Sequence, residues 1–161
     1  MEGPVIQKRS ILMKIISFSW LSKSIIIEAI SFLFIILFLY TGISKLREFD
    51  IFQEQLAESP LLRPIASLIA GGIPITEFII STLLFFPRYR LKGFYLTFIL
   101  MVLFTAYIIT LFTISPELPC SCGGIIEQLS WSGHLILNSS LILLAFIAIR
   151  TQKAINRAKK S

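Results

Sequence analysis

Cys120 and Cys122 are the only cysteines of the chain, one residue apart in Pro119-Cys120-Ser121-Cys122-Gly123-Gly124. A Cys-x-Cys disulfide closes a very small ring, so the spacing predicts a strained and readily reduced bond. Strained, exposed disulfides have more oxidising potentials and are the labile, catalytic kind. Gly123 and Gly124 permit tight backbone geometry and let a partner thiol approach. As a staple the pair contributes little, because closing a longer loop stabilises more. Two other readings stand beside redox exchange. One is an idle disulfide; the other is a metal site in which both thiolates join His134, twelve residues after Cys122. Copper(I) favours thiolates, whereas zinc normally asks for a fourth ligand, which is not evident in this sequence.

Four further residues carry polar chemistry inside apolar sequence. Glu77 lies about midway along such a run, three positions after Pro74, where a kink is expected. An ionisable residue at that depth is costly and is by default a functional candidate; it transfers a proton or pairs with a donor on another helix. His134 can shuttle protons or stabilise a thiolate, or simply bond to water at the interface. Asn138 lies one turn deeper on the same face with Ser139 beside it. That stripe should face a bundle interior, and hydrogen bonding between helices explains it as well as function does. Lys45, in Gly42-Ile43-Ser44-Lys45-Leu46, is expected to snorkel to the outer interface; alternatively it presents positive charge near the cysteines. Glu28 is expected to reach headgroup water beside Lys23, and Gly71-Gly72 to admit the close approach of another helix.

The elements that must position these residues follow from composition. Of 161 residues 55% are hydrophobic and 15% charged, and mean hydropathy is +0.83. Soluble domains carry about 25% charged residues, so a single soluble domain is excluded, as is a disordered chain. Two cysteines exclude a disulfide scaffold. Fourteen Phe and long uncharged runs point to a bilayer as the solvent. Apolar runs at about 25–43, 65–86, 91–114 and 131–149 are each long enough to cross the hydrocarbon. Four strands cannot close a barrel, so the runs are helices. The fold class expected is an all-α membrane protein: an antiparallel four-helix transmembrane bundle over 25–150, with a basic segment over 1–24 and a basic tail over 151–161.

Charge sets the orientation. Lys8, Arg9, Lys14 and Lys23 precede the first span, Arg88, Arg90 and Lys92 fill the second connection, and Arg150, Lys153, Arg157, Lys159 and Lys160 follow the fourth. The other face holds Lys45, Arg47 and Arg63 against Glu48, Asp50, Glu54 and Glu58, and the loop 115–130 has no Lys or Arg. The positive-inside rule places both termini in the cytoplasm and both longer loops outside, where a disulfide can form. The net charge of +6 is therefore chiefly a topology label, and nucleic acid is an unnecessary partner. Residues 11–22 read either as a short interfacial helix or as an extension of the first span. The first span is too long for a cleaved signal peptide and is read as retained. In the first outer loop Leu46, Phe49, Ile51, Phe52 and Leu56 alternate with acids before Pro60, which predicts a short external helix ending near that proline.

Cysteine arithmetic narrows the mechanism. One pair, with none behind it, exchanges electrons with a partner thiol, with a membrane-dissolved carrier such as a quinone, or with both in turn. A mixed disulfide is the expected intermediate. Non-enzymatic alternatives are a membrane subunit that anchors a larger complex, and a carrier of a small solute or metal through the Glu77 region.

The order of the pieces resembles the MauE/DoxX group of small bacterial membrane proteins. The shared features are Gly42, Lys45 and Leu46 at the end of the first span, and Pro74 and Glu77 in the second. Cys120, Cys122 and Gly124 before the fourth span, with Asn138 inside it, complete the set. One departure is Gly123, where the family loop commonly has an aromatic residue. The resemblance implies a four-helix protein of the bacterial inner membrane. Its methylamine-utilisation branch is associated with periplasmic disulfide formation during enzyme maturation, and other members are grouped as redox-associated proteins working beside thioredoxin-like partners. Cys120 and Cys122 would then be the exchanging pair, with Glu77, His134 and Asn138 shaping a polar pocket beneath them for a quinone head group.

Overall fold

A computed structural model of the chain describes residues 4–59, 61–114 and 131–159, with the backbone alone over 4–22. Five α-helices and a 3-10 turn account for nearly all of them: α1 Pro4–Arg47, α2 Phe49–Glu58, the turn Arg63–Ile65, α3 Ala66–Phe85, α4 Arg90–Ile114 and α5 Trp131–Ala158. Four helical stretches are long and apolar enough to cross a membrane: Lys23–Arg47, Arg63–Phe85, Arg90–Leu111 and Ser132–Ala158. They match the four expected spans. The fold is all-α, as the hydropathy required.

Why these segments are helical in lipid is seen in their hydroxyls. Ser31, Thr76, Ser81, Thr97, Thr105 and Ser140 each donate to the carbonyl four residues back, at 2.7–3.0 Å. The polar side chains are thereby satisfied within their own helix and the apolar faces stay intact. Those faces divide into two populations. Phe34, Phe38, Ile80, Leu84, Phe94, Ala145 and Ala148 are buried between helices, with Phe34 edge-on to Phe94 at 6.5 Å. Leu68, Ile136, Phe32 and Phe85 are among the most exposed large residues, each at least 65% accessible. Outward-facing apolar side chains of this kind are what lipid solvates.

Two expectations are changed. Residues 11–22 lie within one continuous helix that runs from Pro4 to Arg47, so the extension describes the backbone and a separate short helix does not. At about 1.5 Å per residue, this helix exceeds the hydrocarbon thickness, and Lys23–Arg47 is the part suited to cross it. Pro74 lies inside α3, which continues through it although proline removes the amide that would bond to Ala70. Second, among the described residues no helix approaches Gly71 or Gly72: a Cβ built at either meets nothing within 4 Å.

Close approach occurs instead at Gly93, near the start of α4. A Cβ there would lie 2.9 Å from Leu84 Cδ2 and 3.1 Å from the Leu84 backbone nitrogen. Gly93→Ala should therefore destabilise the bundle by about 1 kcal/mol through overpacking, despite alanine's better helix propensity. Thermal unfolding followed by helix dichroism checks this, and an unchanged midpoint contradicts it. Beside this contact, Arg90 donates to the Leu84 carbonyl at 3.3 Å and grips Glu28 of α1 with two bonds of 2.7 and 3.1 Å. Glu28 thus has Arg90 as its partner while its side chain stays 59% exposed.

The short helix expected between the first two spans forms over Phe49–Glu58. Phe52 and Leu56, one turn apart on α2, bury against Ala66 and Ala70 of α3. The helix gives way to extended backbone at Ser59, ahead of Pro60, as the residue before a proline prefers.

Candidate functional site

The last two turns of α1 present Thr41 and Lys45 on one face, four residues apart and therefore stacked one above the other. From the middle of α3 Glu77 meets both. Lys45 Nζ donates to Glu77 Oε1 at 2.9 Å, and Thr41 Oγ1 lies 3.0 Å from the same oxygen. The hydroxyl is also 3.0 Å from the Leu37 carbonyl, and its single proton serves one acceptor at a time. The Lys45 ammonium additionally lies 3.5 Å from the Thr41 carbonyl and 5.8 Å from the Phe52 ring centroid, so α2 contributes a cation–π face to it.

This ion pair is deeply placed. The side chains of Lys45 and Glu77 are 4% and 2% exposed. In so low a dielectric each charge requires the other, because desolvating either alone carries a penalty of several kcal/mol. The sequence reading of Lys45 as a snorkelling residue is therefore replaced: its stem turns inward and its charge ends on Glu77. Glu77 adopts the paired role anticipated for it. Gly42 makes the pairing possible. A Cβ there would sit 3.3 Å from Glu77 Oε2 and 3.4 Å from Phe78 Cζ, so any larger side chain would crowd the carboxylate and force its neighbours to yield.

Beside the pair lies a cavity of about 60 Å³, lined by α1, α3, α4 and α5. Its polar wall is Thr41, Lys45, Glu77, His134 and Asn138; its apolar wall includes Phe38, Met101, Phe104, Leu137 and Leu141. His134 is 1% exposed, which removes it from the water-bonded interfacial position. It sits in the first turn of α5 with Asn138 one turn on, and both reach the same space. Four of the sequence candidates, Lys45, Glu77, His134 and Asn138, thus converge from three helices. Cys120, Cys122, Gly123 and Gly124 lie outside the described residues, in the segment that joins the end of α4 to the start of α5.

Thr41 was missed in the sequence, although its position one turn before Lys45 was the available signal. Apolar Phe38, Met101 and Phe104 carried none, being indistinguishable from any lipid-facing or core residue.

A family model described as methylamine utilisation protein MauE matches residues 23–151. No match was found among curated proteins or among solved structures.

Proposed function

The chain belongs to the MauE family, and from that premise we propose that it carries out thiol–disulfide exchange for a methylamine-utilisation system at the outer face of the bacterial inner membrane. The bundle is antiparallel, with both termini cytoplasmic and the 115–130 loop periplasmic, in keeping with the distribution of Lys and Arg. Cys120 and Cys122 are the exchanging pair. A thiolate of a partner protein attacks one sulfur of the oxidised pair, the Cys120–Cys122 bond opens, and a mixed disulfide forms. A second partner thiolate then displaces it, leaving the partner oxidised and the pair as two thiols. The partner is a periplasmic thioredoxin-like protein or a protein that acquires its disulfides here.

The observation that carries this reading is the convergence of Lys45, Glu77, His134 and Asn138 on one cavity. It lies in the half of the bundle where α5 begins, and the chain's only two cysteines precede that helix directly. A buried ion pair and a histidine are an unusual investment for a mere anchor, since ionisable groups at this depth are rare outside functional sites.

Replacing both cysteines should abolish disulfide formation in the partner; in Cys122→Ser the Cys120 thiolate attacks the disulfide of added oxidised partner, releases one partner thiol and, with no neighbour to resolve it, should accumulate a mixed disulfide visible on non-reducing gels. Full partner maturation by Cys120→Ser/Cys122→Ser sinks the proposal. Differential alkylation tests the competing role of an anchoring subunit, for which the pair would stay permanently oxidised.

A further inference from the structure

At the end of the bundle where α4 begins and α5 ends, the exposed side chains fall into an order that thiol chemistry does not use. On α5, Leu143, Phe146, Arg150, Lys153 and Arg157 follow one another at spacings of three, four, three and four residues, so they form one line along the helix. All five are exposed. The opposite face is packed: Ile149, Gln152 and Ile155 are each 6% exposed, and Gln152 Nε2 donates to Asn156 Oδ1 at 2.9 Å. The line is thereby kept on the outside of the bundle, apolar in its first half and cationic in its second. On α4, Lys92, Tyr95 and Ile99 make a second exposed line at helical spacing. The two lines meet where Lys153 Nζ lies 5.1 Å from the Tyr95 ring centroid.

These cations have aromatic neighbours and no anionic ones. The Arg150 guanidinium carbon is 5.3 Å from the Phe146 centroid, and Lys92 Nζ is 6.0 Å from that of Tyr89. A ring face attracts a cation and holds its stem at the apolar boundary, but it does not neutralise the charge. Among the described residues the ion pairs are Lys45–Glu77 and Arg90–Glu28, so no carboxylate lies within 4 Å of Lys92, Arg150, Lys153 or Arg157. We propose that the seam between α4 and α5 binds one anionic phospholipid. Its phosphate sits among Lys92, Arg150 and Lys153, and its acyl chains run along Ile99, Leu143 and Phe146. The site does not depend on the cysteines; in the orientation proposed above it takes its lipid from the cytoplasmic leaflet.

Other occupants match only half of this surface. A soluble polyanion would meet the cations and leave the apolar half of both lines untouched. A second copy of the chain, inserted in the same membrane with the same orientation, would bring its own cations to the same depth, and like charges would face each other across a twofold contact. A zwitterionic lipid fills the apolar half but carries an ammonium of its own into the cationic half. An anionic lipid fits both halves in the order in which they occur. The helix length agrees with this: α5 has 28 residues, about two turns more than the roughly 20 that cross the hydrocarbon, and its cations begin at Arg150, where headgroups are met. A lipid held there clamps α4 to α5 at the end opposite the segment that joins them.

Native mass spectrometry of the full chain released from detergent micelles, with added phosphatidylglycerol or phosphatidylcholine of equal chain length, tests the site. The wild type should retain one phosphatidylglycerol about tenfold more tightly than phosphatidylcholine, each basic residue near an anionic headgroup being worth about fivefold in affinity. Lys92→Gln/Lys153→Gln should weaken phosphatidylglycerol binding about twentyfold and leave phosphatidylcholine unaffected. Arg47→Gln/Arg63→Gln makes the same change of charge at exposed positions of the other end and should alter neither. Lys92→Arg/Lys153→Arg keeps the charge and should bind within about threefold of the wild type, which separates lost charge from lost folding. A large excess of inorganic phosphate, which has no chains, should not displace the lipid. Equal retention of the two lipids by the wild type, equal losses in the two glutamine variants, or displacement by phosphate overturns the proposal.

Discussion

Replacing Lys45 with methionine should destabilise the bundle by about 3–5 kcal/mol, the range for breaking a buried ion pair and leaving one uncompensated charge. Methionine nearly matches the lysine stem in volume and flexibility, so little of the loss comes from packing. What remains is a Glu77 carboxylate, 2% exposed, whose Oε1 has lost the ammonium and still meets Thr41. The companion variant Lys45→Met/Glu77→Leu removes both charges. Because buried ion pairs are often replaceable by apolar residues of similar size, the double variant should recover to within about 1 kcal/mol of the wild type. Unfolding in mixed micelles, followed by helix dichroism across all four members of the cycle, reads the coupling directly. If Lys45→Met alone stays within about 1 kcal/mol of the wild type, the pair is not buried in the manner described. The same cycle separates stability from function. A double variant that is stable but no longer matures its partner assigns the pair to function, and a fully active one assigns it to folding.

The spans were legible in the sequence because lipid imposes a length and a composition, and the runs that met both conditions became α1, α3, α4 and α5. Glu77, His134 and Asn138 were legible as individuals, since each polar group in an apolar run is conspicuous by its cost. Their partners were not. A lysine stem reaches outward to headgroups or inward to a carboxylate with equal ease, and nothing in Gly42-Ile43-Ser44-Lys45 tells which; Glu77, 32 residues away, decides it. The Glu28–Arg90 contact spans 62 residues and was equally hidden. Helix α2 was legible in detail because Phe52 and Leu56 repeat at one-turn spacing among acids, a pattern that already states which side is buried. In the spans no such pattern exists. Both lipid and protein accept the same apolar residues, so sequence periodicity does not separate the outer face from the inner. That is why Gly71-Gly72 drew attention and Gly93 did not.

The glycines give the sharpest comparison within one molecule. Gly42→Leu should destabilise the bundle by about 3 kcal/mol, at the upper end of the usual range for overpacking, whereas Gly71→Leu should be neutral or stabilising by up to about 1 kcal/mol through helix propensity alone. At Gly42 the first side-chain carbon already falls 3.3 Å from Glu77 Oε2 and 3.6 Å from Glu77 Cβ. Three further carbons force α1 and α3 apart or push the carboxylate away from Lys45 and Thr41. At Gly71 the same carbon meets nothing within 4 Å, so the added side chain enters the surroundings of the bundle. Gly42→Ala lies between them, with neighbours yielding a few tenths of an ångström while alanine's propensity offsets about 1 kcal/mol. Thermal midpoints of the three variants should therefore fall in the order Gly71→Leu, Gly42→Ala, Gly42→Leu. Equal behaviour of the two leucine variants would mean that α3 does not pack on Gly42 and that the ion pair has some other support. A loss of partner maturation in Gly42→Leu that exceeds its loss of stability would instead place the Lys45–Glu77 geometry in the function itself.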